Sequence, residues 1–210
     1  MASARDPEAT RQRILRAGFR EFHRSGFKGA DLNRILREAG VTKGALYHHF
    51  QSKRGLGYAV VTDILRDWIQ DRWLRPLVQA MDPVEALEEL ARWGERSATV
   101  EGLALGCPLQ RMVEELSGVD EGFRMRLAAV YEEWRRGLRG LLSTAQSRGQ
   151  VRSDVDVDAA STFIVAAWQG SIGVAKAYQN PAVLRSCRQG LALYLSSLRP
   201  AARPPREAGE

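Results

Sequence analysis

The step Gly40-Val41-Thr42 restricts the fold of this 210-residue chain more than any other feature. Upstream of it, Leu32, Ile35, Leu36 and Ala39 recur at i, i+3, i+4 and i+7, one apolar stripe of a short helix over 30–40. Gly40 is the residue type that ends a helix in the left-handed conformation. Thr42 is the type that caps the next one, which opens at Lys43. The start of the first helix is less marked, because Ala30 cannot cap; Asp31, or the backbone of Gly29, takes that role. Two short helices joined by a glycine-containing turn form a helix-turn-helix, whose second helix is the reader.

The reader has the chemistry of a nucleic-acid contact. Gly44 and Ala45 leave almost no side chain on its first turn, so its backbone can lie close against another surface. Tyr47, His48 and His49 follow within a turn. A helix of this size suits a DNA major groove about 12 Å wide. Thr42, Lys43, Gly44, Ala45, Tyr47, His48 and Lys53 are the expected DNA-binding residues, with Lys43, Tyr47 and Lys53 meeting phosphates. Charge supports this independently. Residues 1–54 hold 12 Lys/Arg against 5 Asp/Glu, net +7, whereas the remainder holds 19 against 20, net −1. A basic N-terminal module on a near-neutral body is the footprint of a DNA binder.

The rest reads as helix. Asp6-Pro7-Glu8 starts a helix that runs to about Arg24, with Gly26 ending it and Phe27 packing beneath the helix-turn-helix; this makes 1–54 a three-helix unit with its own small core. Ser52 caps a long helix from Lys53 to about Leu77, kinked or ended at Arg75-Pro76. Asp82-Pro83 opens another, to about Ser97. Residues 98–106 read as a connection, and helices follow at about 107–117, 121–147, 156–178 and 181–198. Residues 1–5 read as a loose arm and the Pro-rich, charged stretch 199–210 as a disordered tail. The segment 156–198 is apolar over more than one stripe, so it is buried on more than one side, either as central core or as a two-helix face pairing with a second copy.

Other function classes find no support. There is no Gly-rich phosphate loop, metal-ligand cluster or Ser/His/Asp pattern, and His23, His48 and His49 all lie far in sequence from Cys107, so no Cys–His pair is suggested. No cofactor is expected. Met1 to Arg13 is polar rather than a leader, no apolar run reaches the ~20 residues of a membrane span, and two cysteines make no disulfide framework, which together predict a cytoplasmic protein. Cys107, in Gly106-Cys107-Pro108-Leu109, sits at a helix start, a position that favours the thiolate; as a small buried hydrophobe it would be inert.

Residues 8–58 resemble the DNA-binding domain of the tetracycline-repressor (TetR) family, through GFKGADLNRILREAGVTKGALYHHFQSKRGL and above all Gly40 to Phe50 followed by Ser52-Lys53. The resemblance implies an all-α protein with an N-terminal three-helix helix-turn-helix domain, 1–54, and a C-terminal helical ligand-binding and dimerisation domain, 55–198. It implies a homodimer, joined through about 156–198, that binds a palindromic operator in double-stranded DNA and releases it when a small molecule enters the body. A DNA-binding regulator without a ligand switch is the alternative. Trp68, Trp93, Met112, Phe123, Tyr131, Trp134, Phe163, Trp168 and Tyr178 are then candidate cavity lining, or plain core. The stretch around Gly106-Cys107, with Gly170 to Lys176, is similar to a subgroup in which some members sense electrophiles or oxidants through this Cys and this Lys. Cys107 and Lys176 are therefore candidate sensor residues.

Overall fold

The computed structural model describes residues 6–96 and 99–201, with side chains omitted at 93–96. The arm 1–5, the tail beyond 201 and the side chain of Trp93 lie outside the described residues. Every regular element among the described residues is helical. Helix α1 spans Pro7–Gly29; the Asp6 carboxylate caps it, accepting from Glu8 N at 2.9 Å and Ala9 N at 3.3 Å. The expected stop at Gly26 is a break: its φ of 74° and ψ of 167° leave the helical region, and one further turn follows. A Cβ at residue 26 would crowd Glu115 Oε2 at 2.7 Å, and the positive φ is what requires glycine there.

Helices α2 (Leu32–Ala39) and α3 (Lys43–Phe50) form the helix-turn-helix. Of the two expected caps for α2, Asp31 serves, accepting from Asn33 N at 2.8 Å. Gly40 is left-handed at φ 62°, and Thr42 Oγ1 accepts from Ala45 N at 3.2 Å. Ser52 caps α4, a continuous run of Lys53–Ala59, Val60–Leu65, Arg66–Ile69, Gln70–Leu74 and Arg75–Val78. The second and fourth of these segments are π-helical: Arg66 N–H donates to Val61 O, and Arg75 N–H donates to Gln70 O. Pro76 lies in the last segment and marks the end of the run.

The body continues with α5 (Pro83–Arg96), α6 (Val100–Leu105), α7 (Pro108–Leu116), α8 (Glu121–Ser147), α9 (Val157–Tyr178) and α10 (Pro181–Ser197). Helix α6 corrects the reading of 98–106 as a connection. Thr99 caps it by accepting from Gly102 N at 3.0 Å, and Leu103 anchors it against Ala175 and Leu184. The main core is one continuous cluster, from Ile14, Phe22, Ile35 and Leu46 through Leu65 and Phe123 to Trp134 and Leu195, with a small second cluster at Leu103, Ala175 and Leu184. The first three helices therefore share their core with the body. Each large aliphatic side chain buried in it contributes about 1.5–3 kcal/mol.

Helix α9 is apolar on two sides. Ala160, Ile164, Trp168 and Ala175 are buried, while Phe163 is 49 % exposed and Ala159, Ala166, Gly170, Val174, Ala177 and Tyr178 are also open. Helix α10 continues the open surface with Leu193, 74 % exposed, and Phe163 packs on Tyr194 with ring centroids 4.5 Å apart.

Candidate DNA interface and effector cavity

Leu46 and Phe50, one turn apart and buried, fix α3 to the core. That leaves Thr42, Lys43, Gly44, Tyr47 and His48 exposed on its outer side, with Ala45 half-buried. The Lys43 ammonium sits 5.9 Å from the Tyr47 ring centroid. A hollow beside the turn is lined by Thr10, Arg13, Leu36, Arg37, Gly40, Val41, Thr42 and Ala45. Arg13, Arg37 and Lys43 have no acidic partner among the described residues, so their charge is available to an anion. Lys53 is placed differently from the other candidates. Its Nζ donates to Ala30 O at 2.7 Å and Lys28 O at 3.1 Å, clamping the start of α4 to the end of α1, which leaves one N–H for a phosphate.

Several contacts join this module to the body, among them an ion pair between Arg11 and Asp63 at 2.6 Å. The break at Gly26 frees the N–H groups that follow it, and Glu115 of α7 accepts from both Phe27 N at 2.7 Å and Lys28 N at 2.5 Å. Phe123 of α8 lies edge-on to Phe27 and Tyr58, at 4.9 and 4.7 Å between centroids. The Tyr58 hydroxyl donates to Asp120 Oδ1 at 2.8 Å; with the Phe123 N–H it holds that carboxyl below its ordinary pKa, the backbone bond contributing most. His23 of α1 donates Nε2–H to Gly106 O at 2.9 Å, since a carbonyl can only accept. Burial, more than the nearby Arg111 and Lys176 charges, pushes the His23 pKa below 6.5 despite that bond.

Gly106 and His23 border a cavity of ≈ 190 Å³. Of the sequence-derived candidates, Trp68, Cys107, Trp134 and Trp168 line it. Trp73 stacks on Trp134 at 5.8 Å and meets Trp168 edge-on at 4.1 Å, so one wall is a cluster of indoles. Met112 and Phe123 are core residues away from it. Tyr131 borders a separate hollow between α8 and α9, with its hydroxyl accepting from Gln169 Nε2 at 3.0 Å. The open Phe163 and Tyr178 lie outside the cavity as well. His23, Arg72, Trp73 and Arg188 were not singled out from the sequence. Arg188 carried a signal: it stands between Leu184, Leu191 and Leu195 in the buried register of α10.

Of the two readings of Cys107, reactive thiolate or small buried hydrophobe, its surroundings favour the second. Cys107 does precede α7, and the backbone N–H groups of Leu109 and Gln110 favour its charged form, but it is only 8 % exposed. Burial outweighs those N–H groups and pushes the thiol pKa up, so the neutral thiol is the resting form. Cys107 and Lys176 border one shallow groove, yet the Lys176 ammonium is held by Leu105 O at 3.2 Å. Arg72 is the cation that acts on the sulfur.

Known proteins carry the same two parts. Residues 14–60 match the family described as bacterial regulatory proteins, tetR family, and residues 83–191 match the tetracyclin repressor-like, C-terminal domain. The transcriptional regulator AcuR of Cereibacter sphaeroides is 29 % identical over 87 % of this chain and 84 % of its own length. The HTH-type transcriptional repressor DhaR of a Mycobacterium species is 30 % identical over 80 % of this chain and 82 % of its own. A TetR transcriptional regulator from Chloroflexus aurantiacus, 27 % identical, superposes with a TM-score of 0.78 over 92 % of this chain and 97 % of the other. No described helix is long and apolar enough to cross a membrane. The relatives are regulators rather than enzymes, and this chain belongs to the TetR family of transcriptional regulators.

Proposed function

We propose that the protein is a repressor that binds a palindromic operator as a homodimer and releases it when an effector occupies the indole-walled cavity. Residues 1–54 are the DNA-binding unit and 55–198 the effector-binding and dimerisation unit. The observation that carries the reading is the placement of α3: its apolar residues face the core, and Thr42, Lys43, Gly44, Tyr47 and His48 face outward beside Arg13 and Arg37, which have no acidic partner among the described residues. The open faces of α9 and α10 would pair with a second copy, giving two reader helices one turn of DNA apart.

Two routes link cavity to reader. Trp68, Arg72 and Trp73 of α4 line the cavity, and the same helix begins three residues after α3. Gly106 lines it too and holds His23 of α1. An effector that shifts either wall changes the spacing of the two readers, and a coupling of about 1–3 kcal/mol is enough to release an operator. Selection of bound duplexes from a random pool, followed by gel-shift titration, tests the reading. The expected result is a palindromic consensus, bound by wild type and lost in the Lys43→Ala/Tyr47→Ala double variant. Equal binding by that variant would overturn the assignment of the reader.

A further inference from the structure

Arg188 is the anomaly of the cavity. It is 3 % exposed, and its Nε and Nη1 have no acceptor among the described residues. A leucine in its register would bury apolar surface at no electrostatic cost, as Leu184, Leu191 and Leu195 do. Instead a cation lies 3.3 Å over the Trp168 ring, a contact that covers one face of the guanidinium and accepts none of its in-plane N–H groups. Trp168 Nε1–H, also buried, has no acceptor either. Among the described residues no Asp or Glu borders the cavity. Desolvation lowers the Arg188 pKa only to about 9, so it remains a cation at neutral pH. A buried charge left without a counterion is costly, and so is a buried donor without an acceptor.

We propose that Arg188 anchors an organic monocarboxylate whose flat apolar body lies among Trp73, Trp134 and Trp168. The guanidinium fork matches the two oxygens of a carboxylate, which supplies the missing acceptors and cancels one charge with one charge. The indole walls select an unsaturated or aromatic body, and Ile172 and Leu184 add apolar surface to a lining that also carries His23, Arg72, Thr99 and Gln169. This inference rests on the cavity being the effector site of the proposed repressor.

The test uses the full chain, with benzoate, cinnamate and indole-3-acetate as probes, each beside its primary amide, and with sodium phosphate and sodium chloride as inorganic controls. Calorimetry on wild type is expected to give at least one acid bound tenfold or more tighter than its amide. In Arg188→Met that preference disappears, while circular dichroism and melting temperature stay at or above wild type, because an unpaired buried charge has been removed. Should Arg188→Met fail to fold, Arg188→Gln gives the same comparison. The proposal is overturned if no acid is preferred over its amide, if the preference survives both substitutions, or if phosphate or chloride competes as well as the organic acids. A gel-shift arm separates the two readings. Acids that bind through Arg188 without weakening operator binding leave the carboxylate site standing and remove the effector role. Release by the amides, with no preference for acids, does the reverse.

Discussion

Lys43 and Lys53 look alike in the sequence and do different work in the structure. Lys43 is exposed at the first turn of the reader, so Lys43→Ala should weaken binding to operator and bulk DNA alike. The slope of log affinity against log salt should fall by about 0.9, read from gel shifts at several salt concentrations. Lys53 donates to two carbonyls of the α1–α2 corner, so Lys53→Ala should also destabilise the fold by about 1 kcal/mol, seen in denaturant unfolding. The difference was not legible because it depends on which backbone oxygens come within reach, not on the local sequence. Caps were legible, since Asp6, Thr42, Ser52 and Asp82 act on their own next turn. Titration at His23 gives a further check. Its folded pKa is below 6.5, so the unfolded chain takes up the proton first, and stability present above pH 6.5 is lost as pH falls beneath it. His23→Gln should flatten the melting temperature between pH 7.5 and 5.5, with Arg111, Lys176 and the Gly106 carbonyl as the groups facing the ring.

At the scale of elements, the junction between α4 and the body depends on close packing at Gly57. A Cβ there would lie 2.6 Å from both Phe27 Cε2 and Phe123 Cζ. Gly57→Ala should therefore cost about 1–3 kcal/mol and loosen the reader from the body, measurable as lower unfolding stability and faster hydrogen exchange over α1 and α4. Most helices were legible from apolar periodicity and capping residues, to within a residue or two at α7 through α10. The two π-helical stretches of α4 were not, because widening a turn by one residue leaves no periodic signature over so short a span. Helix α6 was missed for a related reason: six residues offer too little periodicity, and its anchor is a tertiary contact of Leu103.

At the scale of the whole molecule, the open apolar face of α9 and α10 sets the oligomeric prediction. Replacing Phe163 and Leu193 together by Arg should give a monomer in sedimentation, with the folded helicity kept and affinity for a palindrome reduced toward that for a half-site. The two-sided character of this segment was legible in its composition; which side faces out became clear only once Ile164, Trp168 and Leu191 were seen in the core. His23 belongs by sequence to the DNA-binding end, yet its ring forms part of the boundary of the cavity in the body. The two halves are thus not interchangeable modules. A hybrid that joins this body to the reading head of a relative lacking histidine at the equivalent place would inherit a cavity with one altered wall, even though every residue after position 54 was unchanged.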